Sequence, residues 1–123
     1  AGPSIAIAAS MRREPATIHF SGRVGFVHVG DVARLLAAAI DSPPAGADAL
    51  TMAGDTREMD DFLAELARQT DWNGITLDGP PLRIPAELMS DPVPAALGDH
   101  SATPIAQGIA RSLATLREAG DAE

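Results

Sequence analysis

Residues 22–41, GRVGFVHVGDVARLLAAAID, decide how this chain folds. Val24, Phe26, Val27 and Val29 are β-branched or aromatic residues that suit a pleated, half-buried surface. Gly30 permits a tight turn. Asp31 then stands at an N-cap position, where its carboxylate would accept from an orphan backbone N–H. Val32, Leu35, Leu36, Ala39 and Ile40 follow at helical spacing, so the stretch predicts a buried strand running through one turn into a helix with an apolar face.

Working outward, the upstream segment predicts a helix over 4–13, with Pro3 in its first turn. Pro15 stops it. Thr17, Ile18 and Phe20 predict a strand over 16–21, and Gly22 punctuates it. Downstream, Pro43 ends the pivotal helix, and residues 41–46 form a turn. The segment 47–53, ADALTMA, predicts a second buried strand. Asp55 and Glu58 have capping-box spacing ahead of a helix that ends near Thr70. Met59, Phe62, Leu63, Leu66 and Ala67 make its apolar stripe, and Asp60, Asp61, Glu65, Arg68 and Gln69 face away. Asn73-Gly74 signals a turn, and Ile75 to Leu77 suits a short strand.

Residues 78–102 form a Pro-rich loop holding half of the ten prolines, with a short helix expected over 85–89. The last helix is expected over 103–119. Thr103 would be its N-cap, Pro104 would take the first position, and Gly120 would end it. The element order α, β, β, α, β, α, β, loop, α predicts an α/β fold: a small two-layer unit with a short sheet and about four helices. At 123 residues, one domain over 1–123 is expected.

Composition narrows the chemistry. The net charge is −8 and the pI about 4.6. Nucleic-acid binding needs cations to neutralise phosphates, and Arg12-Arg13 is the one basic pair, so no nucleic-acid partner is expected. No apolar run reaches the ~20 residues of a membrane helix. The opening also lacks the basic start of a signal peptide. Cysteine is absent, which fits a reducing compartment, and a cytoplasmic location is expected.

There is no Tyr, and all nine basic residues are Arg. A mechanism needing a tyrosine acid or a lysine base cannot run on this chain alone. His19, His28 and His100 match no metal-ligand spacing, and no metal is expected. Asp55, Glu58, Asp60 and Asp61 read as a solvated helix start that suits the helix dipole. No serine lies in a G-x-S-x-G elbow. No phosphate-binding loop is present, and Gly22 to Gly25 is too short for a dinucleotide fingerprint. Two arginines are candidates for clamping a carboxylate or phosphate: Arg23 at the mouth of the pivotal strand, and Arg83 within the Pro-rich loop.

The segments F-V-H-V-G-D-V-A (26–33), A-G…A-G followed by D-F-L (45–63) and T-P-I-A-Q-G-I (103–109) resemble, in order and spacing, the C-terminal part of extended short-chain dehydrogenase/reductases, the NAD-dependent epimerase/dehydratase family. In that family the N-terminal Rossmann half binds NAD or NADP and carries the catalytic Ser, Tyr and Lys. The resemblance therefore implies a substrate-binding lobe of an NAD(P)-dependent oxidoreductase or epimerase. Such a lobe has no catalytic residue and binds no cofactor of its own. It also implies a small-molecule substrate contacted by Arg23, structural roles for His28 and Asp31, and a Rossmann half as partner. A lobe parted from that half would expose apolar surface, so a homo-oligomer is expected. Two alternatives stay open: a stand-alone small-ligand or protein-binding module of the same descent, and an NmrA-like sensor of nicotinamide nucleotides.

Overall fold

The computed structural model describes residues 2–43, 45–47 and 49–121. The order is α1 (Gly2–Arg12), β1 (Ala16–Ile18), β2 (Arg23–Phe26), α2 (Val29–Asp41), β3 (Asp55–Glu58), α3 (Met59–Thr70), β4 (Ile75–Leu77), a 3₁₀ turn (Ala95–Leu97) and α4 (Ile105–Asp121). This is a small α/β fold with four helices, as the alternation of periods indicates. Its strands do not join into one sheet: β1 pairs with β4 in parallel, and β2 pairs with β3 antiparallel.

The core lies between α1, α3 and α4 and the strands beside them. Ala6 and Ile7, Ile18, Met59, Phe62, Leu66, Ile109 and Leu113 form one buried cluster. Phe26 from β2 stacks on Phe62 from α3, with centroids 5.0 Å apart and planes within 8°, an arrangement that adds to the area both rings bury. The stripe read on α3 is therefore the side that meets the core.

Several expectations shift. The strand expected over 47–53 is absent at residues 47 and 49–53, and Asp48 lies outside the described residues. Residues 51–53 instead bond to the Pro-rich loop. Asp91 N–H donates to the Thr51 carbonyl at 2.9 Å, and Ala53 N–H donates to Ser90 Oγ at 3.0 Å. The strand comes later, at β3, where Phe26 pairs with Asp55 and Arg23 with Glu58. Asp55 and Glu58 are thus strand residues and not a capping box; a polar D-T-R-E strand has no apolar alternation by which to read it.

β1 stops at Ile18, and the pivotal strand runs only from Arg23 to Phe26. No helix forms over 85–89, and the short turn sits at Ala95–Leu97 instead. α4 starts later than expected and continues through Gly120 to Asp121. α1 and α3 are each followed by a non-glycine residue at φ 53°, Arg13 and Asp71. Glu14 N–H closes the end of α1 by reaching back to the Ala9 carbonyl at 2.9 Å.

α2 forms, but it lies apart from the core. Its apolar residues do not enter the core: Val29, Val32, Leu36 and Ile40 are exposed, Ile40 at 79%. Asp31 is the helix's one buried residue. Periodicity shows that a helix has an apolar face. It does not show that this chain covers that face.

Candidate functional site

The turn between β2 and α2 builds the site. His28, in extended conformation, is the N-cap of α2, and its Nδ1 accepts from Gly30 N–H at 3.0 Å. This corrects the expectation that Asp31 caps the helix and that His28 is a strand residue. A ring nitrogen two residues ahead of the first free amide does what a Ser or Asp cap does. Because Nδ1 is an acceptor, the neutral ring carries its proton on Nε2.

Asp31 falls in the first helical turn and points inward at 1% exposure. Its Oδ2 accepts from Thr103 N–H at 2.7 Å, and its Oδ1 accepts from Thr103 Oγ1 at 2.6 Å, across 72 residues of sequence. Arg34 pairs with Oδ1 at 2.5 Å. Burial pushes this carboxyl up. The Thr103 side-chain and backbone bonds and the Arg34 guanidinium together outweigh that and hold it below the usual aspartate value. Thr103 also accepts from Arg111 Nη1 at 3.1 Å. Thr103 is thus not a side-chain cap of α4. Asp55 takes that role, its Oδ2 accepting from Ile105 N–H at 3.0 Å.

These bonds lay the start of α4 against the β2–α2 turn. A cavity of about 200 Å³ opens there, walled by Phe26, His28, Phe62, Ile105 and Ile109, with Ser4 and Ser112 at its edge. Gly108 sits under the imidazole: a Cβ there would stand 3.5 Å from His28 Cδ2. The walls are apolar with a few polar groups, the usual make-up of a small-molecule site. His28 Nε2–H and the two serine hydroxyls are available to orient a ligand. Among the described residues no hydrogen bond joins His28 to Ser4 or Ser112.

Of the residues expected to touch substrate, neither lines this cavity. Arg23 begins β2, half-exposed, bonded to Glu87 at 2.7 Å and facing Glu58 at 3.8 Å. Arg83 is exposed in the Pro-rich loop. Glu87, Arg23's partner, belongs to the same loop and is 74% exposed. Sequence reasoning missed Thr103 as the partner of Asp31, Asp55 as the cap of α4, and Ser112 at the cavity edge. Each depends on a contact between distant segments, and no local pattern announces such contacts.

Among the described residues no group of three or more His, Asp or Glu side chains is placed to hold a metal, and no helix is long and apolar enough to cross a membrane. No protein-family model matches this chain, and neither a curated protein nor a solved structure matches it.

Proposed function

We propose that this chain is the substrate-binding lobe of an NAD(P)-dependent oxidoreductase or epimerase of the extended short-chain dehydrogenase/reductase type, catalytically incomplete by itself. One observation carries the reading. The two most specific segments of the resemblance, 26–33 and 103–109, meet in space: they are tied by Asp31 and Thr103, and together they wall the His28 cavity. Residues that resemble a family in sequence would be expected to form one feature if the likeness is more than chance. The exposed stripe of α2 adds support, because a Rossmann half laid over Val29, Val32, Leu36 and Ile40 would remove apolar surface from water.

In this reading NAD or NADP resides on the partner half, and the lobe supplies the substrate pocket. His28 Nε2–H donates to a substrate oxygen between apolar walls. Arg23 and Arg83, neither of which lines the cavity, are the candidate contacts for an acidic substrate group, which reaches Arg23 by displacing the exposed Glu87. Calorimetric titration tests the division of labour. The chain alone gives no saturable heat with NADH or NADPH, and micromolar binding of either would overturn the proposal. The gene sequence gives a second check: a glycine-rich loop and a Tyr-x-x-x-Lys pair are expected upstream, and a stop codon immediately before this chain would instead favour a stand-alone binding module. The His28 cavity is the observation that would serve that second reading, since it is complete within one chain.

A further inference from the structure

No Asp, Glu or Arg lines the His28 cavity. The buried Asp31 is not part of its wall and is held by Thr103 and Arg34. A cation or an anion would shed its water there with no counter-charge, which costs far more than burying a neutral group. His28 supplies the directional contact. Its Nδ1 is taken by Gly30 N–H, and its Nε2–H bonds to no protein group among the described residues. Nor is Nε2 sealed from solvent, as the unpartnered Ser10, Trp72 and His100 atoms are. That edge of the ring offers a donor, so a ligand must bring an acceptor.

Gly108 governs the space beside the same edge. It lies in the first turn of α4, where glycine is a poorer helix former than alanine. Its φ is not left-handed, and its N–H makes a helical bond to the Pro104 carbonyl at 2.9 Å. An added Cβ would stand 3.5 Å from His28 Cδ2 and 4.0 Å from Thr103 Cγ2, both ordinary contact distances. Neither the backbone nor the packing therefore calls for glycine. What a side chain would take is the room next to Cδ2, the ring carbon bonded to Nε2. The cavity holds about 200 Å³, and an apolar cavity of ~150 Å³ accepts benzene. A six-membered ring with one oxygen fits between Phe26, Phe62, Ile105 and Ile109.

We infer that this cavity takes an uncharged, ring-sized compound whose acceptor oxygen receives His28 Nε2–H, and that Gly108 sets the size admitted. The inference deepens the reading of the cavity as a substrate pocket and rests on it; it does not rest on a missing cofactor half.

Cyclohexanone is the probe. Cyclohexylammonium and cyclohexanecarboxylate, the same ring with a full charge of either sign, are the controls. In ¹H–¹⁵N spectra of the labelled native chain, cyclohexanone shifts the Gly108 and Ile109 amides saturably, and neither ion does at the same concentrations. His28→Asn keeps a side-chain cap on α2 but loses the Nε2–H donor, and weakens cyclohexanone binding about fivefold, the range expected for one uncharged hydrogen bond. Gly108→Ala raises the melting temperature and weakens binding by a similar factor. Amides unmoved by cyclohexanone overturn the inference, as does an equal response to either ion. Native affinity in a folded His28→Asn overturns the hydrogen bond, and native affinity in Gly108→Ala overturns the size limit. The arms on the native chain need no variant, so they decide even if a substitution unfolds the protein. Saturable NADH binding beside a normal cyclohexanone shift would overturn the missing-half reading and leave this one standing.

Discussion

Replacing Asp31 with Ala should cost about 3 kcal/mol of folding stability. The figure follows from the bonds the carboxylate makes. Thr103 N–H, in a residue 8% exposed, would lose its acceptor at 2.7 Å, and a buried donor left unpaired costs about 1–3 kcal/mol. Thr103 Oγ1–H would lose its acceptor at 2.6 Å, about another 1 kcal/mol, and Arg111, which only donates to that oxygen, cannot replace it. The Arg34 pair adds under about 1 kcal/mol, since that guanidinium is half-exposed and screened. Removing a buried charge returns part of its desolvation cost, which keeps the sum from reaching the top of its range. Asp31→Asn retains an acceptor for Thr103 N–H and should cost only about 1–2 kcal/mol. Urea unfolding followed by Trp72 fluorescence measures all three proteins, with an unchanged slope expected. A cycle with Thr103→Val should give a coupling of about 1–2 kcal/mol. An Asp31→Ala loss under about 1 kcal/mol, or strict additivity with Thr103→Val, would refute the claim that this pair joins α4 to the β2–α2 turn. The folded carboxyl titrates below its usual value. Its contribution is therefore present above that value and is lost as pH falls through the folded one.

Three further outcomes are expected. Glu65 is held at about 2, against 4.5, by the Arg68 and Gln69 bonds; its share of stability is present above 4.5 and fades as pH falls toward 2, so Glu65→Gln should flatten acid unfolding across that window. Gly54→Ala would set a Cβ 1.9 Å from the Phe26 carbonyl oxygen, and a loss of more than about 2 kcal/mol in thermal unfolding is expected because backbone on both sides must move; native-like melting would show that the β2–β3 edge is not this close. In the isolated chain, Leu36→Glu with Ile40→Glu should leave the melting temperature nearly unchanged, since both side chains are exposed, while shifting light scattering from an associated species toward monomer; a native chain that is already monomeric at high concentration would remove the basis for the expected oligomer.

Much of the local structure was legible because local physics determines it. α3 follows from an apolar stripe at helical spacing, and it buries Met59, Phe62 and Leu66 as that spacing requires. α1 stops ahead of Pro15 for a covalent reason. Where local signals compete, reading by pattern failed. The segment 47–53 looks like a strand because it is apolar, yet the Thr51 and Ala53 amides bond to Asp91 and Ser90. β3 looks like a helix start because it is acidic, yet Arg23 to Phe26 offers it a pairing edge. His28 and Asp31 were singled out together, with Asp31 expected as the cap; the ring caps the helix instead, and the carboxylate reaches across the fold.

The sequence by itself determined the α/β alternation, the helix faces and the residue types able to bind or to catalyse, because these depend on periodicity, backbone preference and side-chain chemistry within a few residues. The tertiary structure alone decided which faces are covered and which polar groups meet. Asp31 finds Thr103 across 72 residues, and Asp55 finds the first amide of α4 across 50. Such pairings are fixed by the packing of the whole chain, which trades the desolvation of each buried group against the bonds it can make. The same balance leaves Val29, Val32, Leu36 and Ile40 of the pivotal helix in water.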